Sequence, residues 1–324
     1  MKTSVCTLFL ISHLFGSQLL FSQTHTAKSA GGTKAPAAKE NYISHEISKT
    51  GSGDNGIYRD TLRCKIEKTD ARNASGKQYQ DIHVTLDEGD VICAKLKSFE
   101  FKSALALYNT VSGKLQLVKT IDVPDKISEH DFKLLYRVAE AGSYTLRISC
   151  KEKLEPGMDD FYSEYSLLTV ISTPASGHYS GDSSFCSRVQ FMLRQEATEY
   201  MQILGTVIDS DKDVLDKKKI SRINYQSLFN LYDIKEILTS IGIDFEQKYG
   251  KYNMVVAYSS KEATQDYYDR LVAAFKACLG DSYKGKNDTN FGSDQAFQFL
   301  KGDDYYHSIT IICDTQYNNV QLIM

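Results

Sequence analysis

The sequence has no tryptophan, no Cys-x-x-Cys pair, and no second apolar run of membrane-spanning length after its N-terminal stretch. It also lacks Gly-x-Ser-x-Gly and His-Glu-x-x-His. Each absence removes a class of function. Without paired cysteines a zinc ribbon is not signalled. Without a further apolar stretch the chain has no candidate spanning helix once its N-terminus is cleaved. Without the nucleophile elbow or the zincin helix, neither standard hydrolase signature is present. The missing tryptophan weighs against a sugar-stacking face, although 21 tyrosines remain. Positive charge is also short: the formal net charge is −3, and −4 once Lys2 is lost with a leader. Phosphate backbones call for a basic surface, so nucleic acid is not an expected partner.

What is present begins with an export signal. Lys2 is followed by an apolar run from Val5 to Leu20, then by small residues at Ser17 and Ser22. That is the order of charged region, hydrophobic region and cleavage site. A membrane anchor would need about 20 predominantly apolar residues, and this run is interrupted by Thr7, Ser12, His13, Ser17 and Gln18. The expectation is a signal peptide over 1–22, a mature chain starting at Gln23, and an extracytoplasmic location, periplasmic or secreted.

The 324 residues suffice for two domains, and 42% hydrophobic content supports ordinary cores. Residues 23–54, with THTAKSAGGTKAPAAKE and SKTGSGDNG, read as a flexible tether that cannot bury enough apolar surface to order itself. Gly51, Gly53 and Gly56 spell a formal G-x-G-x-x-G, but a strand-like segment follows instead of a helix, so no dinucleotide site is implied. Residues 55–172 alternate polar and apolar positions in short runs separated by turn residues. Such runs are DIHVTL, VICAKL, SALALYN, KLQLVKTI, FKLLYRV, YTLRISC and YSEYSLLTVIS. That pattern signals an all-β sandwich or barrel.

The segments YQDIHVTLDEGDVICAKL, SALALYNTVSGKL, FKLLYRVAEAGSYTLRIS and YSEYSLLTV occur in an order that resembles the bacterial pre-peptidase C-terminal domain. The best points are the Glu88-Gly89-Asp90 turn and the Gly142-Ser143-Tyr144 step into a late strand. The resemblance implies a jelly-roll-like sandwich serving as an accessory module of a secreted protein, with no catalysis of its own. Family members often carry acidic residues where this chain has Lys102-Ser103 and Lys119-Thr120, so no calcium site is carried over.

Residues 173–184 form a Ser/Gly/Pro linker, and the pattern then changes. A helix is expected from Phe185 to Leu204 and another from Ala263 to Leu279, each with one apolar face. Residues 209–232 are polar and lysine-rich. One hairpin is expected around Tyr249-Gly250-Lys251 and a second turning at Asn318-Asn319. The order α-β-β-α-β-β over 185–324 predicts an α+β domain, an antiparallel sheet backed by helices. By element order alone it is similar to the type III secretion chaperone fold.

Six cysteines follow the cleavage site, three in each half. An oxidising compartment permits disulfides. Cys186 starts the first C-terminal helix and Cys278 ends the second, so antiparallel helices would bring them together. Cys313 would then be a buried reduced thiol. The alternative is that all three are reduced core residues.

No catalytic, cofactor or metal site emerges. Asp209, Asp211 and Asp213 mimic the start of a calcium-binding loop, but Val214 and Ile220 stand where that loop needs Gly and Glu. A thiol site of Cys186 or Cys278 with His307 is conceivable, yet both cysteines sit within apolar helix faces. His83 reads as a surface position on a strand, and His130 and His178 complete the histidines past the tether. The pairs Tyr267-Tyr268 and Tyr305-Tyr306 are a possible binding surface, because tyrosine combines an apolar body with a polar tip. The expected function is an exported, non-catalytic protein that binds, adheres or assembles at the cell envelope, with a protein or glycan partner. A carbohydrate-binding module protein and a hydrolase with an unrecognised site in the C-terminal domain are the alternatives.

Overall fold

Alternation of apolar and polar residues sets the first layer of structure. In the computed structural model, residues 46–47, 49, 55–67, 69–98, 101–122, 131–151, 164–212, 220–231, 238–244, 249–288, 295–302 and 304–324 are described. The signal peptide, most of the tether, His130 and Asp213 lie outside them. Among the described residues, the first half holds nine strands: β1 (Glu46–Ile47), β2 (Ile57–Lys65), β3 (Tyr79–Leu86), β4 (Val91–Ser98), β5 (Ser103–Val111), β6 (Lys114–Asp122), β7 (Asp131–Arg137), β8 (Gly142–Cys150) and β9 (Glu164–Ser172). They form a five-stranded sheet, β1-β3-β8-β5-β6, and a four-stranded sheet, β2-β9-β4-β7. Ile82, Val84 and Leu86 of β3, Leu146 and Ile148 of β8, Ile92 and Leu96 of β4, and Leu167 and Ile171 of β9 point into one shared core. This is a β-sandwich.

Two turns show the local chemistry. Ser112 and Gly113 both have positive φ (51° and 75°), the two-residue turn whose twist matches a hairpin. At Glu88-Gly89-Asp90, Gly89 has φ 83° and donates to the Val138 carbonyl at 2.9 Å. Asp90, fully buried, accepts from the Asp87 amide at 2.9 Å and pairs with Lys49. The strand at Glu46 and the Lys49 contact correct the expected tether: ordered pairing begins inside 23–54, with β1 running parallel to β3. Gly56 lies in a turn followed by β2, not a helix.

The second half contains α1 (Phe185–Gln195), β10 (Leu204–Lys212), β11 (Ile220–Ser227), β12 (Leu238–Asp244), β13 (Tyr249–Ala257), α2 (Lys261–Leu279), β14 (Tyr283–Asn287), β15 (Gln295–Lys301), β16 (Asp304–Asp314) and β17 (Asn319–Ile323). The observed order is therefore α-β-β-β-β-α-β-β-β-β, which corrects α-β-β-α-β-β and removes the basis of the chaperone likeness. One eight-stranded antiparallel sheet runs β10-β11-β12-β13-β17-β16-β15-β14. Val189 and Met192 of α1 and Leu271 and Phe275 of α2 pack with Tyr252, Met254, Ile311 and Leu322 of the sheet. The Tyr249-Gly250-Lys251 turn is also corrected: these residues belong to β13 and pair with Asp244, Ile243 and Gly242 of β12.

Helix α1 ends nine residues earlier than expected. Short 3-10 turns follow at Glu196–Thr198 and Met201–Ile203, with Glu199 and Tyr200 between them both left-handed (φ 55° and 59°). Tertiary contacts impose this break. The Glu199 carboxylate pairs with Lys133 of β7 and accepts from the Gly250 amide at 2.7 Å. Ser172 bonds Thr198 at 3.2 Å, Arg137 bonds the Met201 carbonyl, and Gln202 bonds the carbonyls of Gly89 and Ser172 at 3.1 and 2.7 Å. Ala197 packs on Cys93, Val170 and Ile57, so the outer face of the four-stranded sheet is partly covered here. Within the expected linker, Pro174–Gly177 is a 3-10 turn, and the carbonyl of buried Ser176 accepts from Gln195 at 2.7 Å.

Candidate functional site

The outer face of the five-stranded sheet presents the most organised polar constellation outside that joint. Pairing of β3 with β8 sets Asp81 opposite Arg147 and His83 opposite Thr145. Pairing of β5 with β8 sets Ala106 and Tyr108 opposite Arg147 and Thr145. Alternation that sends Ile82 and Leu146 inward sends these residues outward. Asp81 accepts from Nε and Nη2 of Arg147, each at 2.7 Å, a two-point fork that fixes the guanidinium plane. That plane lies 3.9 Å from the Tyr79 ring centroid and 5.0 Å from that of Tyr108. The hydrogen bonds to Asp81 raise the Arg147 pKa above its ordinary value, despite partial burial, so the cation is permanent. His83 is exposed, and its Nδ1 lies 3.2 Å from the Thr145 hydroxyl.

The guanidinium has five N–H groups; the fork uses one on Nε and one on Nη2. Tyr79 and Tyr108, whose rings lie beside the guanidinium, are both half-buried. Among the described residues, no group of three or more His, Cys, Asp or Glu could hold a metal ion. Among them also, no helix is long and apolar enough to cross a membrane.

The residues singled out from sequence lie elsewhere. Tyr267 and Tyr268 are 9% and 6% exposed and belong to the core beneath α2, so they offer little surface. Burial pushes the Tyr268 hydroxyl pKa up to about 12. Tyr305 and Tyr306 lie in β16, and their side chains are outside the described set. Cys186 and Cys278 are joined in a disulfide with Cα atoms 5.0 Å apart, so neither supplies a thiol to His307. Cys313 is buried and reduced. Asp209 lies in a strand, not a loop. The Tyr79–Arg147–Tyr108 stack was missed because its members come from three separate strands. The available signal was Tyr79, Asp81 and His83 on one alternating face.

No family model matches the chain, and no curated protein matches it. Solved structures with similar segments include Aeromonas hydrophila PliG, a periplasmic inhibitor of g-type lysozyme (6% identity, 40% of this chain, 96% of that chain, TM-score 0.24). Another is the pre-peptidase C-terminal domain of Bacillus anthracis collagenase (8%, 40% and 96%, TM-score 0.25). A third is the C-terminal CBM6 of LamC, a marine laminarinase from Zobellia galactanivorans (9%, 35% and 100%, TM-score 0.20). Likenesses of this degree carry no argument about ligand or activity.

Proposed function

We propose that this is an exported, non-catalytic binding protein of the cell envelope that engages its partner through the outer face of the five-stranded sheet. The observation that carries the reading is the Arg147 guanidinium, locked by Asp81 and stacked between Tyr79 and Tyr108. A rigid cation flanked by aromatic rings meets a partner at little entropic cost. The Cys186–Cys278 disulfide fits an oxidising compartment. With this reading goes the domain plan of a leader over 1–22, a tether, an accessory sandwich of the pre-peptidase C-terminal type ending at 172, and an α+β domain over 185–324.

A glycan partner is the second reading. Two tyrosines beside a fixed arginine supply ring faces and hydrogen-bond donors for hydroxyl-rich chains. Binding to envelope polysaccharide, peptidoglycan and envelope protein fractions, compared between the wild-type chain and Tyr79→Ala, Tyr108→Ala and Arg147→Ala, tests both readings. Loss of binding in all three variants is expected; Arg147→Ala should also lower the melting temperature, because it leaves the buried Asp81 carboxylate unpaired, and circular dichroism checks that it remains folded. Binding that survives all three places the site elsewhere.

A further inference from the structure

The two terminal strands of the eight-stranded sheet are complementary to each other. All seven neighbouring pairs in that sheet are antiparallel. With an even number of strands, the last therefore runs opposite to the first. A copy set beside this one in the same orientation would lay its β10 antiparallel to β14, continuing the alternation with no strand reversed.

Chemistry follows the same direction. Edge strand β14 is regularly paired with β15 from Tyr283 to Asn287, and its exposed residues include Lys284 and Lys286, two positions apart. Edge strand β10 is irregular on both sides of one regular stretch, Asp209–Asp211, which pairs in register with Asn224–Arg222. That stretch carries Asp209 and, two positions on, Asp211. Asp209 is exposed and accepts from the Asn224 side chain at 2.6 Å. Next to it, at the irregularity that precedes Asp209, Val207 and Ile208 are 59% and 56% exposed. Edge strands are ordinarily blunted by charge. Here each edge carries the charge that the other edge accepts.

We propose that the chain associates with further copies of itself head to tail, β10 of one copy adding to β14 of the next. In this arrangement the register positions of Asp209 and Asp211 lie across from those of Lys286 and Lys284. It is a heterologous contact, so it propagates from copy to copy instead of closing on a two-fold axis. It uses neither Arg147 nor the tyrosines beside it, and so stands or falls separately from the proposed binding face. The matched stretch is short, so association is weak, dependent on concentration, and weakened by salt.

Sedimentation velocity over a wide concentration range, at low and high ionic strength, reads this directly. The purified chain should associate at low salt. Asp209→Lys/Asp211→Lys and Lys284→Asp/Lys286→Asp should each weaken self-association by at least about tenfold, because like charges then face each other. Mixing the two variants should restore association, since both junctions of the mixed assembly regain opposite charges. Circular dichroism confirms that each variant is folded. A wild-type chain that stays monomeric throughout overturns the proposal. So does association indifferent to either charge reversal, or variants that fail to associate when mixed.

Discussion

The backbone of Gly250 approaches Glu199 so closely that a side chain there would collide: a Cβ would lie 2.5 Å from the Glu199 carbonyl oxygen. The Glu199 carboxylate meanwhile accepts from the Gly250 amide and pairs with Lys133. Gly250→Ala should therefore force β13 away from the Glu196–Tyr200 segment, at a cost of roughly 1–3 kcal/mol. Glu199→Gln should cost up to about 3 kcal/mol, because Lys133 loses its partner but keeps some water contact. Urea titrations of both variants check this, and unchanged midpoints would show that the joint contributes nothing.

Disulfide removal should be costly. Cys186 and Cys278 lie 92 positions apart, and closing so long a loop constrains the unfolded chain. Reduction, or Cys186→Ser with Cys278→Ser, should lower stability by about 2–5 kcal/mol. Thermal melts with and without reductant measure it, and the double variant should show no further response to reductant.

The sandwich thiols should be silent in the native protein. Burial pushes the Cys93 pKa up to about 11 and the Cys150 pKa up to about 12. Both are almost inaccessible, and the thiolate is the reactive form. Peptide mapping after maleimide treatment should find both unmodified in the native state and modified once the chain is unfolded.

Asp70 should make stability depend on pH. Burial raises its carboxyl pKa above the ordinary 3.8, against the lowering effect of hydrogen bonds from the Glu67 amide and the Gln80 side chain. The native state therefore binds the proton more tightly than the unfolded chain. Its contribution to stability is greatest at low pH and declines as pH rises from the ordinary carboxylate value through the raised one. Asp70→Asn should flatten the decline that sets in above the ordinary carboxylate pKa, as read from denaturant midpoints. An unaltered profile would mean that the carboxyl is not the source.

Strands whose one face is buried were legible in the sequence, because burial of Ile82, Val84 and Leu86 writes a period of two into β3. Strands β10 and β11 were not. They are the first two strands at one end of the sheet, where Val207 and Ile208 of the edge strand β10 are both exposed and no alternation is imposed. The end of α1 was hidden for a different reason. Glu199 and Tyr200 carry no turn signature, and their left-handed conformation is fixed by Lys133 and Gly250, distant in sequence. The candidate site was unreadable as a unit, since cross-strand register alone brings Asp81, Tyr108 and Arg147 together.

The bridge between Cys186 and Cys278 also decides how the chain would respond to a mechanical load. Tension entering before Cys186 and leaving after Cys278 would pass through the sulfur bond and bypass β10 to β13 and nearly all of α2. Those residues form a reserve of contour length on the order of 300 Å. While the bond is intact the reserve is locked. Reduction would release it, so the chain under tension would stretch far more in a reducing environment than in an oxidising one.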